Sequence, residues 1–325
     1  MTQLPPIDLG TLVTQSQLRL AWLVPVLLAA AGYLVLAARP GSQQWPARRT
    51  AAFLAGLAVV LVATCSGIEA YGRVLQWVHM IEHLLLIMAA PVLLAIGSPL
   101  QLVRSRLSGR AGARMDAVLA RPVVGWLTSP IVAAAAYAAA VVGVHLTGLL
   151  AAAMTGPNVH VAEELTYLVS GWLLFRLTFG VRPGPWQLAP LGRLGLLAFV
   201  TPVDTVVGFV LLQTGTVQTN LTHAHEAAGP RPDWALSPAA DTVAAGTTMW
   251  IGGTGVMALL MIVVGLAWLH GRAPERAEPG WADRARAETL GGRTGGQAGG
   301  DVDSDDALAA YNDWLARLAE SDRKP

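Results

Sequence analysis

The sequence predicts an all-α fold: a polytopic membrane bundle of seven transmembrane helices, N-terminus outside and C-terminus cytoplasmic. Three observations predict it. Of 325 residues, 54% are hydrophobic and 13% charged, with mean hydropathy +0.49, whereas an ordinary soluble domain is roughly a quarter charged. Seven apolar stretches are each long enough to cross roughly 30 Å of hydrocarbon as helix. Arginine is divided very unevenly between the loops that join them. The composition speaks against a soluble enzyme, and the balance of 22 basic and 21 acidic side chains speaks against a nucleic-acid partner. A single cysteine, Cys65, excludes a disulfide framework and a four-cysteine zinc site within one chain.

The first stretch, residues 17–38, is too long for a removable signal peptide and lacks its small-residue cleavage site, so it reads as a retained helix. Residues 1–16 then form an extracytoplasmic segment. The remaining spans fall at 49–68, 74–98, 123–148, 157–179, 191–215 and 242–270, completing a membrane domain over 17–271. One continuous apolar run per crossing fits helices and not the alternating strands of an outer-membrane barrel. Composition shifts abruptly at 272–325, which is glycine-rich and holds eleven acidic and eight basic side chains, as expected of a mostly disordered cytoplasmic tail. Within it Leu308, Tyr311, Trp314, Leu315 and Leu318 recur at helical spacing, predicting a short amphipathic helix near 305–320 that rests on the membrane or docks a partner.

Orientation follows from the arginines, because cytoplasmic loops retain positive charge. Nineteen of the 22 basic residues fall on one side; Arg19, Arg73 and Arg231 are the exceptions. With an odd number of spans, this sets the N-terminus outside. Nine acids then lie outside or within spans. Among them Glu82, Glu163, Glu164 and Asp204 sit inside apolar helices, where an ionised carboxylate is expensive and reads as functional.

Histidine is sorted the same way. His79, His83, His145, His160, His223 and His225 all fall toward the outer end, and only His270 falls at the cytoplasmic end. His79-Met80-Ile81-Glu82-His83 stacks two imidazoles on one helix face with a carboxylate beside them, and His160-Val161-Ala162-Glu163-Glu164 repeats the spacing with an acid in the last place. Neutral imidazole is a common ligand for copper, zinc and iron, and a neighbouring carboxylate can orient the ring or bind the metal itself. The candidate metal contacts are therefore His79, His83, His145 and His160, with Glu82, Glu163 and Glu164 orienting or completing coordination. Met249, Met80, Met154 and Cys65 are softer donors that would favour Cu(I), or ordinary packing residues. Asp204 follows Pro202 midway along span six and reads either as a proton relay or as the cap of a restarted helix. His223 and His225 are either solvated loop residues or a capture site.

At these residues the sequence resembles the multi-span CtaG-type cytochrome c oxidase assembly factors. The matching stretches are His79 to Leu86 with Ala90-Pro91 and Gly97-Ser98-Pro99, then His145-Leu146-Thr147-Gly148-Leu149, His160 with Glu163, and Pro190-Leu191-Gly192-Arg193. Asp241 leading to Gly246, Met249-Trp250 and Gly252-Gly253 closes the set. The resemblance implies a multi-pass plasma-membrane protein that helps build the copper-containing oxidase, with the oxidase catalytic subunit and the lipid bilayer as partners and copper as its metal. The family pattern at the second motif resembles His-x-x-Glu-His, so Glu164 leaves this chain fewer nitrogen donors. Two other readings stay open on the residues alone. His79-x-x-Glu82-His83 matches an inverted zinc-protease motif, which would make the protein an intramembrane metalloprotease, and histidines on separate helices can clamp a haem.

Overall fold

A computed structural model describes residues 4–39, 44–147, 149, 152–153, 156–180, 185–213 and 231–270. The tail with its expected amphipathic helix, the loop carrying His223 and His225, and Met154 lie outside the described residues. Met1–Leu266 forms one compact unit, and the second, Ala267–Pro325, is described only over its first four residues.

Every described element is helical. In chain order they are α1 (Leu9–Thr14), α2 (Leu20–Ala38), α3 (Ala47–Cys65), α4 (Gly67–Gly72), α5 (Gln76–Arg106), α6 (Gly109–Leu119), α7 (Pro122–Leu127), α8 (Pro130–His145), α9 (Pro157–Thr178), α10 (Pro190–Gln213) and α11 (Pro238–His270). Five of these, α2, α3, α5, α10 and α11, are long and apolar enough to cross a membrane. The other two expected crossings are present as helices but differ in kind. The stretch expected over 123–148 is broken into α7 and α8 at Ser129-Pro130, where the Ser129 hydroxyl accepts from the Val132 amide and proline pre-sets the first turn. That leaves α8 with 16 residues, about 24 Å of helix. Helix α9 has the length, at 22 residues, but carries Glu163, Glu164 and Arg176.

The core is a ring. Helix α5 packs on α9, α9 on α8, α8 on α10, α10 on α11, and α11 returns to the first turns of α5. Helix α3 lies against the other side of α5, and α2 against α3. Most of α2 therefore turns leucine and valine outward, burying only Trp22, Val26 and Tyr33, as suits a helix bathed in lipid.

Two five-residue π-helical segments interrupt this ring, Leu85–Ala89 in α5 and Thr248–Gly252 in α11. Such bulges widen a helix locally and cluster near functional sites. The first is where α9 makes its nearest approach: a methyl at Gly171 would overlap the Ile87 carbonyl oxygen and press on Pro91. At the far end of α5 the chain turns at Ser98, with φ 50°. There Tyr33 stacks on Phe53 at 4.0 Å and its hydroxyl donates to the Gly97 carbonyl at 2.8 Å.

Over the histidine end lies a small apolar cap. Tyr71, Leu75 and Val78 pack against Leu4, Ile7, Leu12 and Trp234. Tyr71 donates to the Pro5 carbonyl and Trp234 to that of Leu4, each at 2.8 Å. The segment before the first long helix thus folds back across the bundle, with α1 opened by an Asp8–Thr11 capping box.

If the Gly171 contact sets the spacing of α5 and α9, Gly171→Ala should destabilise the fold by about 1–3 kcal/mol, as overpacking does. Gly255→Ala, at a position with open space around it, should leave stability unchanged. Thermal unfolding of both variants in detergent micelles compares them directly.

Candidate metal centre

The site is built by two helical faces brought edge to edge. The first turns of α5 present His79, Glu82 and His83, and those of α9 present His160, Glu163 and Glu164 at the same spacing. All six are buried, Glu163 the most exposed at 7%. Asp241 of α11 fixes where α5 begins. Its carboxylate accepts from the backbone amides of Gln76 at 3.0 Å and Trp77 at 3.1 Å, the donors an α-helix leaves unpaired at its start. Arg231 pairs with Asp241 in turn, so this anchor is neutralised.

The ligand atoms fall into two groups, His79–His83–Glu163 and Glu82–His160–Glu164, within each of which they lie no more than 4.8 Å apart. Each group draws on both helices. Glu163 joins them: its Oε1 lies 3.2 Å from His83 Nε2 and 3.8 Å from His79 Nε2, and its Oε2 lies 3.3 Å from His160 Nδ1. Glu82 joins them again, 3.6 Å from both His79 Nδ1 and His160 Nε2.

Hydrogen-bond accounting fixes which ring nitrogens carry lone pairs. His145 Nδ1 is 2.8 Å from the Val141 carbonyl, which can only accept, so Nδ1 holds the hydrogen and Nε2 is bare. His83 Nδ1, 3.3 Å from that bare nitrogen, then donates to it, and His83 Nε2 is left as a lone pair facing a carboxylate oxygen. His160 Nδ1 lies 3.3 Å from Glu163 Oε2, which leaves Nε2 to the other acids. That nitrogen faces oxygens of Glu164, Glu82 and Glu69 at 3.5, 3.6 and 3.9 Å. Imidazole nitrogens thus confront carboxylate oxygens. Among the described residues, the buried Nε2 atoms of His79, His83 and His160, both oxygens of Glu82, Glu163 Oε1 and Glu69 Oε2 have no hydrogen-bond partner. Buried polar groups are ordinarily satisfied, and this concentration of unsatisfied ones calls for positive charge. A donor set of imidazole and carboxylate fits borderline divalent metals and copper.

Positive charge from the protein sits on one flank. Arg19 makes a bidentate pair with Glu164, Nη2 lying 2.9 Å from Oε2, and also reaches Glu69 at 3.5 Å. The Trp22 indole donates to Glu164 Oε2 at 2.7 Å. Arg73, nearer the surface, holds Glu69 at 2.6 Å. All three arginines that sequence placed away from the other nineteen therefore grip buried carboxylates.

Of the residues expected from sequence to contact metal, His79, His83, His160, Glu82 and Glu163 converge. Glu164 borders the site with both oxygens already taken by Arg19 and Trp22. His145 belongs to a layer behind His83: its Nε2 meets His83 Nδ1 and, at 3.3 Å, the Met80 sulfur, while the Tyr167 hydroxyl lies 3.4 Å from its Nδ1. Met249 is buried in the apolar core on the second π segment. Cys65 ends α3 beside Thr64. Asp204 is wholly buried and accepts from Tyr137 at 2.9 Å, with its second oxygen unpartnered. Sequence reasoning did not include Glu69, Arg19 or Trp22 in the site. The available signal was Arg19 itself, an arginine kept where positive charge is disfavoured and hence one that needs a partner.

Arg19→Ala should cost about 3–5 kcal/mol, because it strands a buried carboxylate, whereas Arg19→Met combined with Glu164→Leu should recover much of the loss. Denaturation of the purified variants in detergent measures both.

Two uncharacterized proteins, one of Mycobacterium bovis and one of Mycobacterium tuberculosis, are each 31% identical over 301 residues, covering 90% of this chain and 42% of their own length. An uncharacterized protein of Mycobacterium leprae is 25% identical over 292 residues, 88% of this chain and 41% of its own. The chain thus spans less than half the length of these relatives. No solved structure matches it significantly. The model of the cytochrome c oxidase caa3 assembly factors matches residues 19–271, which takes in every residue of the site, and the chain belongs to that family.

Proposed function

We propose that this protein is a plasma-membrane assembly factor for cytochrome c oxidase that binds copper as cargo at His79, His83 and Glu163 and passes it toward the copper centre of the oxidase catalytic subunit. The observation that carries this reading is the His83 Nε2 lone pair held 3.2 Å from a carboxylate oxygen in a buried site, an arrangement that a bound cation relieves. His145 supports it from behind by fixing the His83 tautomer, as outer partners of metal-bound histidines do. Family membership supports the oxidase as destination.

The orientation belongs to the same proposal. Seven crossings, counting α8 and α9 with the five longer apolar helices, put the N-terminus and the histidine end outside, where incoming copper would meet an excess of acids. The short α8 and the charged α9 are tolerable as crossings because His145, His160, Glu163 and Glu164 are buried against neighbouring helices.

A second reading has one specific observation behind it. Glu82 lies beside a His79–His83–Glu163 set with both oxygens unpartnered, as the water-activating glutamate of an inverted zinc-protease motif would. Against it, every one of these side chains is buried beneath the apolar cap, and hydrolysis needs a water and a substrate at the metal. Haem is the weakest reading, since the His79–His83, His83–His145 and His79–His160 rings stand 4.1, 5.2 and 5.6 Å apart, centroid to centroid.

Replacement of His83 by alanine should abolish high-affinity copper binding to the purified protein, and His145→Ala should weaken it about 10- to 100-fold, the usual effect of losing an outer partner. Isothermal titration against a copper-buffered chelator reads both. Cells carrying either variant should make oxidase deficient in copper; unchanged affinity in both variants contradicts the proposal, and a Glu82→Gln variant that retains copper but loses proteolysis of a membrane substrate favours the second reading.

A further inference from the structure

We infer that the cluster holds two cations side by side, one in each of its two His-and-Glu groups, with Glu163 linking the first position to His160 of the second. The inference rests on the metal reading above and extends it from one ion to a pair of chemically unlike positions.

The first position is the imidazole-rich one, His79 Nε2, His83 Nε2 and Glu163 Oε1. The second is carboxylate-rich. Its centre is His160 Nε2, which is buried, unpartnered and surrounded by oxygens of Glu164, Glu82 and Glu69 between 3.5 and 3.9 Å away. A cluster of acids alone would say little, because acids gather wherever arginine is scarce. Here two features point to an ion. His160 Nε2 is aimed into the acids, its Nδ1 lying 3.3 Å from Glu163. Among the described residues, that nitrogen and both oxygens of Glu82 have no hydrogen-bond partner.

Charge favours the same conclusion. Glu69, Glu82, Glu163 and Glu164 face two guanidiniums, Arg19 and Arg73. Arg19 occupies the flank of the second position, bound to Glu164 and within reach of Glu69. It pairs with Glu164 and leaves Glu82 and His160 Nε2 as the principal ligands of the second position, with Glu164 at its edge. One nitrogen among several oxygens suits a harder divalent cation than the two-nitrogen position does. Carboxylate-bridged pairs of ions are a recurring arrangement in helical bundles, with acids and histidines supplied at i, i+3 spacing from facing helices. The His-x-x-Glu spacing at 79–82 and at 160–163 has that form.

The test uses the full chain in lipid nanodiscs, loaded with Cu(II) and desalted, with copper counted by mass spectrometry and unpaired spins by electron paramagnetic resonance. Two coppers per chain are expected, with the line broadening and half-field transition of two neighbouring spins. Glu82→Gln and His160→Gln should each leave one copper that behaves as an isolated spin, and His83→Gln should remove the other. One copper per chain in the wild type, retained in Glu82→Gln, overturns the second position while sparing the first. Two coppers that behave as isolated spins overturn their placement side by side. No bound copper at all overturns the metal reading itself. The wild-type spectrum needs no variant, so misfolding of a mutant does not blunt the result.

Discussion

Carboxylates and bare imidazole nitrogens gathered where water does not reach must be matched by positive charge, and the architecture of this protein follows from that constraint. Glu69, Glu82, Glu163 and Glu164 are all buried at the histidine end. In hydrocarbon an unpaired charge is costly enough that it is ordinarily neutralised, paired or bound to metal. Arg19 and Arg73 answer part of the demand on one flank. The face made by His79, His83, His160, Glu82 and Glu163 is left with imidazole nitrogens opposed to carboxylate oxygens, and that residue of unmet demand is what gives the site its chemistry.

The surrounding fold holds the acceptors in place. Asp241 caps the start of α5 and sets the rotation at which its first turn presents His79 and His83. Gly171 lets α9 close onto the π segment of α5, so that the two His-x-x-Glu faces meet at hydrogen-bond range and not across a lipid-filled gap. The cap over Tyr71, Leu75 and Val78 shuts the site off from solvent, which strengthens every electrostatic interaction beneath it. The Arg19–Glu69–Arg73 flank borders the site, and Arg73, at 40% side-chain exposure, is its outermost member.

Much of this was legible in the sequence, for identifiable reasons. Helix positions were readable because an apolar run is a strong signal; the ends of α2 and α9 fall within a few residues of where hydropathy placed them, whereas α5 continues past the expected end at 98 to Arg106. The spacing His79-x-x-Glu82-His83 announced a single face. What a sequence cannot carry is adjacency: that α5 touches α9 and α11 at once, that Asp241 caps a helix 165 residues away, and that Glu69 turns inward. Span four was read as one helix because Pro122-to-Leu127 is apolar too, and only the Ser129-Pro130 turn divides it from α8. Glu164 looked like a ligand because its spacing copies His83, yet a carboxylate in that place attracts Arg19 where an imidazole would not.

A site of this kind suits a protein that carries an ion for another. Its donors mix imidazole and carboxylate, so they bind copper without the grip of thiolates, and release to an acceptor site remains feasible. The most direct test is X-ray absorption at the copper edge of the loaded full-length protein in membranes. The account predicts a first shell of nitrogen and oxygen with the multiple scattering of imidazole, diminished in His83→Ala. A sulfur-dominated shell, or an imidazole signal that His83→Ala leaves intact, would contradict it.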